Sequence, residues 1–225
     1  MIKRSLILVA AVILFGASGA TAFPSFYVDG VEQDALAGPH EDLTMSFTGG
    51  KQYWDLLEEY AGWRDHNTFG YYTNTENGSG MGTIFDRTDG PGTSTETMID
   101  AGDDFGLWLM ADFDHDGMPD GNEPYLFSQR GFTSGTNDPD YQFFYVYDVS
   151  AYRGTGATYF FENSTRSYSI TGDYDYLIYI DDSGAGPDYD HNDMIAGVSA
   201  VPEPGTLLLM GLGLTGAGVY RRFKK

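Results

Sequence analysis

The chain has 225 residues, no cysteine, 17 tyrosines, an aromatic content of 16% and a formal net charge of −21. So acidic a chain is a poor partner for nucleic acid or an anionic membrane, and its aromatic content argues against disorder. Without cysteine an exported domain has no disulfides to lean on, which leaves metal as the available staple.

The first element is a basic start, Lys3 and Arg4, followed by the ten apolar residues 6–15 and the small-residue stretch 16–22. That order predicts a secretory signal peptide over 1–22, cleaved after Ala20-Thr21-Ala22, because the apolar run is too short for a comfortable membrane span. Residues 23–200 then read as one domain. Residues 23–201 hold 32 acidic and 6 basic side chains, a formal charge of −26 that repels itself unless cations neutralise it.

Runs rich in Tyr, Phe, Val and Thr recur between Gly/Asp/Asn/Ser clusters at 43–47, 69–73, 105–111, 142–149, 158–161, 174–180 and 194–198. Their spacing predicts a mainly β fold, an antiparallel β-sandwich or jelly roll. The run 105–111 is apolar on both alternating faces, as suits a strand buried on both sides. Tyr53, Leu56, Leu57 and Tyr60 follow the i, i+3, i+4, i+7 spacing, which predicts one short helix ended by Gly62, with Asp55, Glu58 and Glu59 toward water. The Gly/Ser/Thr-rich stretches 74–82 and 88–95 read as loops.

The sharpest local motif runs from 112 to 123 and satisfies the twelve-residue calcium-loop pattern. Alternate carboxylates of Asp112, Asp114 and Asp116 would converge on one hard cation, with Gly117 permitting the turn. The Met118 carbonyl, Asp120 and a bidentate Glu123 would complete the shell. Pro119 and Pro124 resist a long following helix, so the scaffold is not a helical EF-hand. Such loops resemble those of dockerins and thrombospondin-type repeats, and a structural rather than a switching calcium is expected because extracellular modules bind it weakly.

A second acidic cluster follows the aromatic run 174–180. It comprises Asp181 and Asp182, then Gly184 and Gly186, then Asp188, Asp190, His191, Asn192 and Asp193 ahead of Met194 and Ile195. Carboxylates this dense repel unless a cation sits among them, and Asp188, Asp190 and Asp193 are the expected calcium ligands. The arrangement resembles a domain of unknown function common in exported bacterial proteins, which usually has Tyr at the place of His191. That resemblance implies a β-sandwich without known catalysis over about residues 47–198.

No nucleophile elbow, phosphate loop or zinc spacing occurs. His115 and His191 lie inside the acidic loops and read as solvated. A glycosidase pair built from Glu58 or Glu59 with Glu162 is a minor alternative, since spacing in sequence does not fix carboxylate separation. The abundance of Tyr together with three Trp also admits a calcium-dependent carbohydrate-binding module, against the simpler view that Tyr is a favoured strand residue.

The final element joins Pro202-Glu203-Pro204, a Gly-interrupted apolar stretch 207–219 and the basic residues Arg221, Arg222, Lys224 and Lys225. This predicts a short transmembrane helix that halts transiently in the inner membrane with its basic end in the cytoplasm. The three-part order of 201–225 resembles the PEP-CTERM sorting signal, whose tail is read and removed by the membrane peptidase exosortase. The resemblance implies a cell-surface or extracellular-matrix protein with exosortase as its processing partner and an extracellular polysaccharide as a further partner; the acidic loops make calcium the expected cofactor. The mature protein is expected to end near Pro204.

Overall fold

A computed structural model describes residues 25–38, 40–47, 50–59, 67–100, 102–111, 124–135, 140–162, 167–182 and 193–201. The expected signal peptide, Tyr60 and Gly62 at the end of the expected helix, the 112–123 loop, Asp188, Asp190 and residues 202–225 of the sorting tail lie outside these residues.

The described chain opens with a hairpin of β1 (Ser25–Val28) and β2 (Val31–Gln33). Asp29 and Gly30 turn it with φ of 49° and 83°, the left-handed pair that two-residue hairpins need. A two-residue edge β3 (Met45–Ser46) and the long β4 (Lys51–Glu59) follow. Next come the hairpin β5 (Asn67–Asn74) and β6 (Ser79–Phe85), then β7 (Ser94–Met98), β8 (Asp104–Ala111) and β9 (Tyr125–Phe127). The second half supplies β10 (Phe144–Asp148), β11 (Thr158–Glu162), β12 (Ser167–Thr171), β13 (Tyr176–Ile180) and β14 (Met194–Val201).

All named strand pairs are antiparallel, and they form three sheets. The first has the order β12-β11-β1-β2, the second β10-β13-β14-β4-β7, and the third β3-β8-β5-β6 with β9 on β8. The second sheet is the middle layer. Its Trp54, Leu56, Val146, Ile178 and Ala196 meet Phe69, Phe105, Leu107 and Leu109 of the third sheet in the larger core. Its Tyr145, Tyr147, Leu177, Tyr179 and Ile195 meet Phe26, Tyr159, Phe161 and Ile170 of the first sheet in a second core. Alternate residues of β10 and β13 thus serve opposite cores, which is why these strands read as unbroken apolar runs. A small aromatic cluster of Tyr72, Trp108, Met110 and Phe127 covers the outer face of the third sheet, so β8 is buried on both faces as its sequence predicts.

The expected helix is not formed: 51–59 is the strand β4, paired with β14 on one side and β7 on the other. Gln52, Trp54 and Leu56 alternate inward, and Trp54 is fully buried. A bulge explains the misleading pattern. Leu56 faces Ala196 and Glu58 faces Ile195, so Leu57 is an extra residue in the ladder. Two adjacent leucines across a bulge imitate helical spacing. The bulge also leaves Glu59 buried at 4% exposure, where the helical reading sends it to water. The loop expected over 74–82 shortens to a turn, because β6 begins at Ser79, and β7 takes in the end of 88–95. Among the described residues no helix is long and apolar enough to cross a membrane.

Candidate metal centre

The second and third sheets end together at one pole of the sandwich. There β13 finishes at Ile180 and β14 begins at Met194, paired with each other, and Met194 in turn pairs with Glu59 at the end of β4. From the facing sheet, Asn67 at the start of β5 pairs with Ala111 at the end of β8.

Asp181, Asp182 and Asp193 occupy the neck of the β13–β14 hairpin. The Asp181 N–H donates to the Phe143 carbonyl at 3.0 Å and the Asp193 N–H to the Ile180 carbonyl at 3.1 Å, so backbone bonds fix both residues. The Asp182 N–H donates to Asp193 Oδ2 at 2.8 Å, which draws the third carboxylate across the neck. One ligand oxygen from each of the three lies within 4.8 Å of the others, and the residues are only 1%, 4% and 8% exposed. Two unit charges at that spacing repel by about 3.5 kcal/mol at an effective dielectric of about 20. Three buried carboxylates in this arrangement are a donor set for a hard cation, which takes oxygen ligands and offsets the repulsion.

A fourth group reaches the cluster from the other sheet. Asn67, 1% exposed, donates from Nδ2 to Asp182 Oδ2 at 3.3 Å. Its Oδ1 is buried with no hydrogen-bond partner, although a buried amide oxygen normally has one. An oxygen-seeking cation beside Asp182 would satisfy it.

Of the ligands expected from sequence, Asp193 is at the centre, while Asp188 and Asp190 lie outside the described residues. Asp181 and Asp182 belong to the expected cluster, and the structure brings their carboxylates together with that of Asp193. Asn67 carries no sequence signal, since it stands 115 positions from Asp182 and is a lone amide at a strand start. Asp112, Asp114, Asp116, Met118, Asp120 and Glu123 lie outside the described residues, but both anchors of their loop are placed. The Ala111 N–H donates to the Pro124 carbonyl at 3.4 Å, and Ala111 pairs with Asn67. The two acidic loops therefore leave the fold at the same pole. Glu58 and Glu59 belong to the middle sheet, whereas Glu162 is exposed at the end of β11 in the first. His40 sits at the surface with Nδ1 3.2 Å from the Asp140 carbonyl oxygen.

At the opposite end of β14, Arg153 Nη1 donates to both oxygens of Asp175 at 3.0 Å and to the Ala200 carbonyl at 3.0 Å. Asp175 Oδ2 accepts the Ala200 N–H at 2.6 Å. The last residues before Pro202 are thus pinned to the sandwich.

Residues 200–225 match the PEP-CTERM protein-sorting motif. Neither a curated protein nor a solved structure matches the chain. The motif marks the chain for exosortase sorting and export to the cell envelope or surface.

Proposed function

We propose that this exosortase-sorted chain is a non-catalytic cell-surface or matrix protein whose β-sandwich is held together by calcium. The observation that supports the reading is the convergence of Asp181, Asp182 and Asp193 at the pole where two sheets meet, beside the buried amide of Asn67. A cation there would bind β13 and β14 to each other through their carboxylates, and would bind the hairpin to β5 through Asn67. With no cysteine and a formal charge of −26 over 23–201, it would supply both the staple and part of the neutralisation. Calcium fits better than zinc or copper, because the described donors are carboxylate and amide oxygens. The loop 112–123 is proposed as a second calcium site at the same pole, on its residue pattern. Weak binding, with Kd around 10⁻⁴–10⁻³ M, suits a structural role in an extracellular setting.

Calcium counting by calorimetry tests the reading. Replacing Asp190 and Asp193 together with Asn is expected to remove one calcium per chain, and replacing Asp112 with Ala to weaken another. Unchanged stoichiometry in the double variant would remove the hairpin site, and equal melting in calcium and in EDTA would remove calcium stabilisation altogether.

A further inference from the structure

The outer face of the third sheet carries a cavity of about 440 Å³, within the range of about 300–1,000 Å³ usual for small-molecule sites. Its floor is apolar. Trp108 and Met110 project outward from alternate positions of β8, and Tyr125 of β9 stands half-buried beside the indole, with ring centroids 6.2 Å apart at 35°. The indole lies flat because Gly70 is its cross-strand partner. A Cβ on Gly70 would stand 2.5 Å from the indole and 2.2 Å from the Gly82 carbonyl oxygen. The indole N–H is already used, donating to the carbonyls of Tyr71 at 3.0 Å and Gly82 at 3.3 Å. Toward the cavity Trp108 therefore offers carbon surface and no donor.

The walls are polar. Thr68 of β5 and Thr83 of β6 present hydroxyls, and the turn after β6 adds Asp86, Arg87 and Thr88. That turn is preset: Asp86 Oδ1 accepts the Thr88 N–H at 2.8 Å and its O–H at 2.6 Å. Arg87 is exposed and makes no ion pair among the described residues, so its guanidinium donors remain available at the rim.

An aromatic floor beneath a rim of hydroxyls, a carboxylate and a guanidinium matches the two chemistries of a sugar ring, a C–H face and an edge of hydroxyls. We propose that this groove binds a neutral saccharide. Neutrality follows from charge: Asp86 and Arg87 cancel at the rim, and a domain of formal charge −26 repels acidic glycans. The inference rests on the surface-protein reading for its setting. It does not rest on calcium, because no groove residue belongs to the carboxylate cluster.

Saturation-transfer NMR on the full chain tests it, with maltose, cellobiose and N,N′-diacetylchitobiose as probes and glucuronic acid as the charged comparison. At least one neutral disaccharide is expected to show transfer to its ring C–H protons. Arg87→Ala and Tyr125→Ala should each weaken its dissociation constant by about tenfold, at a melting temperature showing that the fold is intact. Three outcomes overturn the proposal: no transfer from any of the three at millimolar concentration, a stronger response to glucuronic acid, or binding that both substitutions leave unchanged. Asp193→Asn separates the two readings. Loss of one calcium with saccharide binding retained is expected in this variant; in the unsubstituted protein, calcium uptake without saccharide binding defeats the groove alone, and saccharide binding without any calcium uptake defeats the metal centre alone.

Discussion

Asp193→Asn should destabilise the protein in calcium and stabilise it in EDTA. The side chain accepts the Asp182 N–H at 2.8 Å through Oδ2, a bond that an asparagine carbonyl can take over, so the substitution removes charge and keeps the hairpin neck. With the cation withdrawn, three carboxylates remain within 4.8 Å of one another, each pair repelling by about 3.5 kcal/mol at an effective dielectric of about 20. Removing one charge deletes two of the three repulsions, about 7 kcal/mol before any relaxation. Relaxation and water entry reduce this to an expected gain of about 2–3 kcal/mol, or roughly 5–10 °C in Tm for a domain of this size. In calcium the sign reverses. A ligand at a hundredfold excess over its Kd stabilises by about 2.7 kcal/mol, and a variant with one charged donor fewer loses most of that. Paired thermal scans of both proteins with calcium and with EDTA measure all four states. A shift of the same sign and size in both conditions would mean that Asp193 is only a hydrogen-bond acceptor and that the cluster holds no ion.

Gly70→Ala places a Cβ against the Gly82 carbonyl and the Trp108 indole, and should cost about 1–3 kcal/mol; an unchanged melting curve would mean that the indole does not lie across β5 as described. Burial pushes the hydroxyls of Tyr72 and Tyr174 up to about 12, above their unfolded value near 10. The folded state thus keeps protons that the unfolded chain loses, and stability should be whole below about pH 10 and decline as pH rises toward 12. Ultraviolet titration should show these phenols ionising only as the fold is lost, and early, reversible ionisation of all 17 tyrosines would contradict their burial. Arg153→Ala frees the Ala200 carbonyl and loosens Asp175, so amide exchange at Ala200 should quicken while the β13–β14 neck keeps its protection. Mass spectrometry of the native surface protein should find a chain ending near Pro204, and an intact Lys225 on the cell-surface form would contradict tail removal.

The runs at 69–73, 105–111, 142–149, 158–161 and 194–198 each overlap an observed strand, because aromatic and β-branched residues between turn formers are a strong local signal. β6 and β7 carry little strand signal for the opposite reason. They are mostly exposed Gly, Ser and Thr positions with few buried side chains, so they resemble loops until pairing defines them. β4 was masked by its bulge. The third layer was not legible at all, since an unbroken apolar run such as 176–180 shows burial on two faces without naming what covers each. The acidic hairpin was visible because its carboxylates adjoin in sequence between apolar strands. Asn67 was not, because its relation to Asp182 exists only once two sheets are packed face to face.

The strand that closes the middle sheet is the last to be synthesised. β14 lies between β13 and β4, and at its end Val201 pairs with Lys51, a contact between nearly opposite ends of the domain. Such non-local pairing is slow to form, and the middle sheet is incomplete until residues 194–201 have left the translation and export machinery. Residues 200–225 match the sorting motif, so the signal begins within the last two residues of β14. A peptidase that grips the segment beyond Val201 acts directly next to the stretch that must first be released for folding. Once β14 is seated, a cut after Pro204 spares every bond of its ladder, and the order of the two events decides whether a finished or an open sandwich is delivered outside.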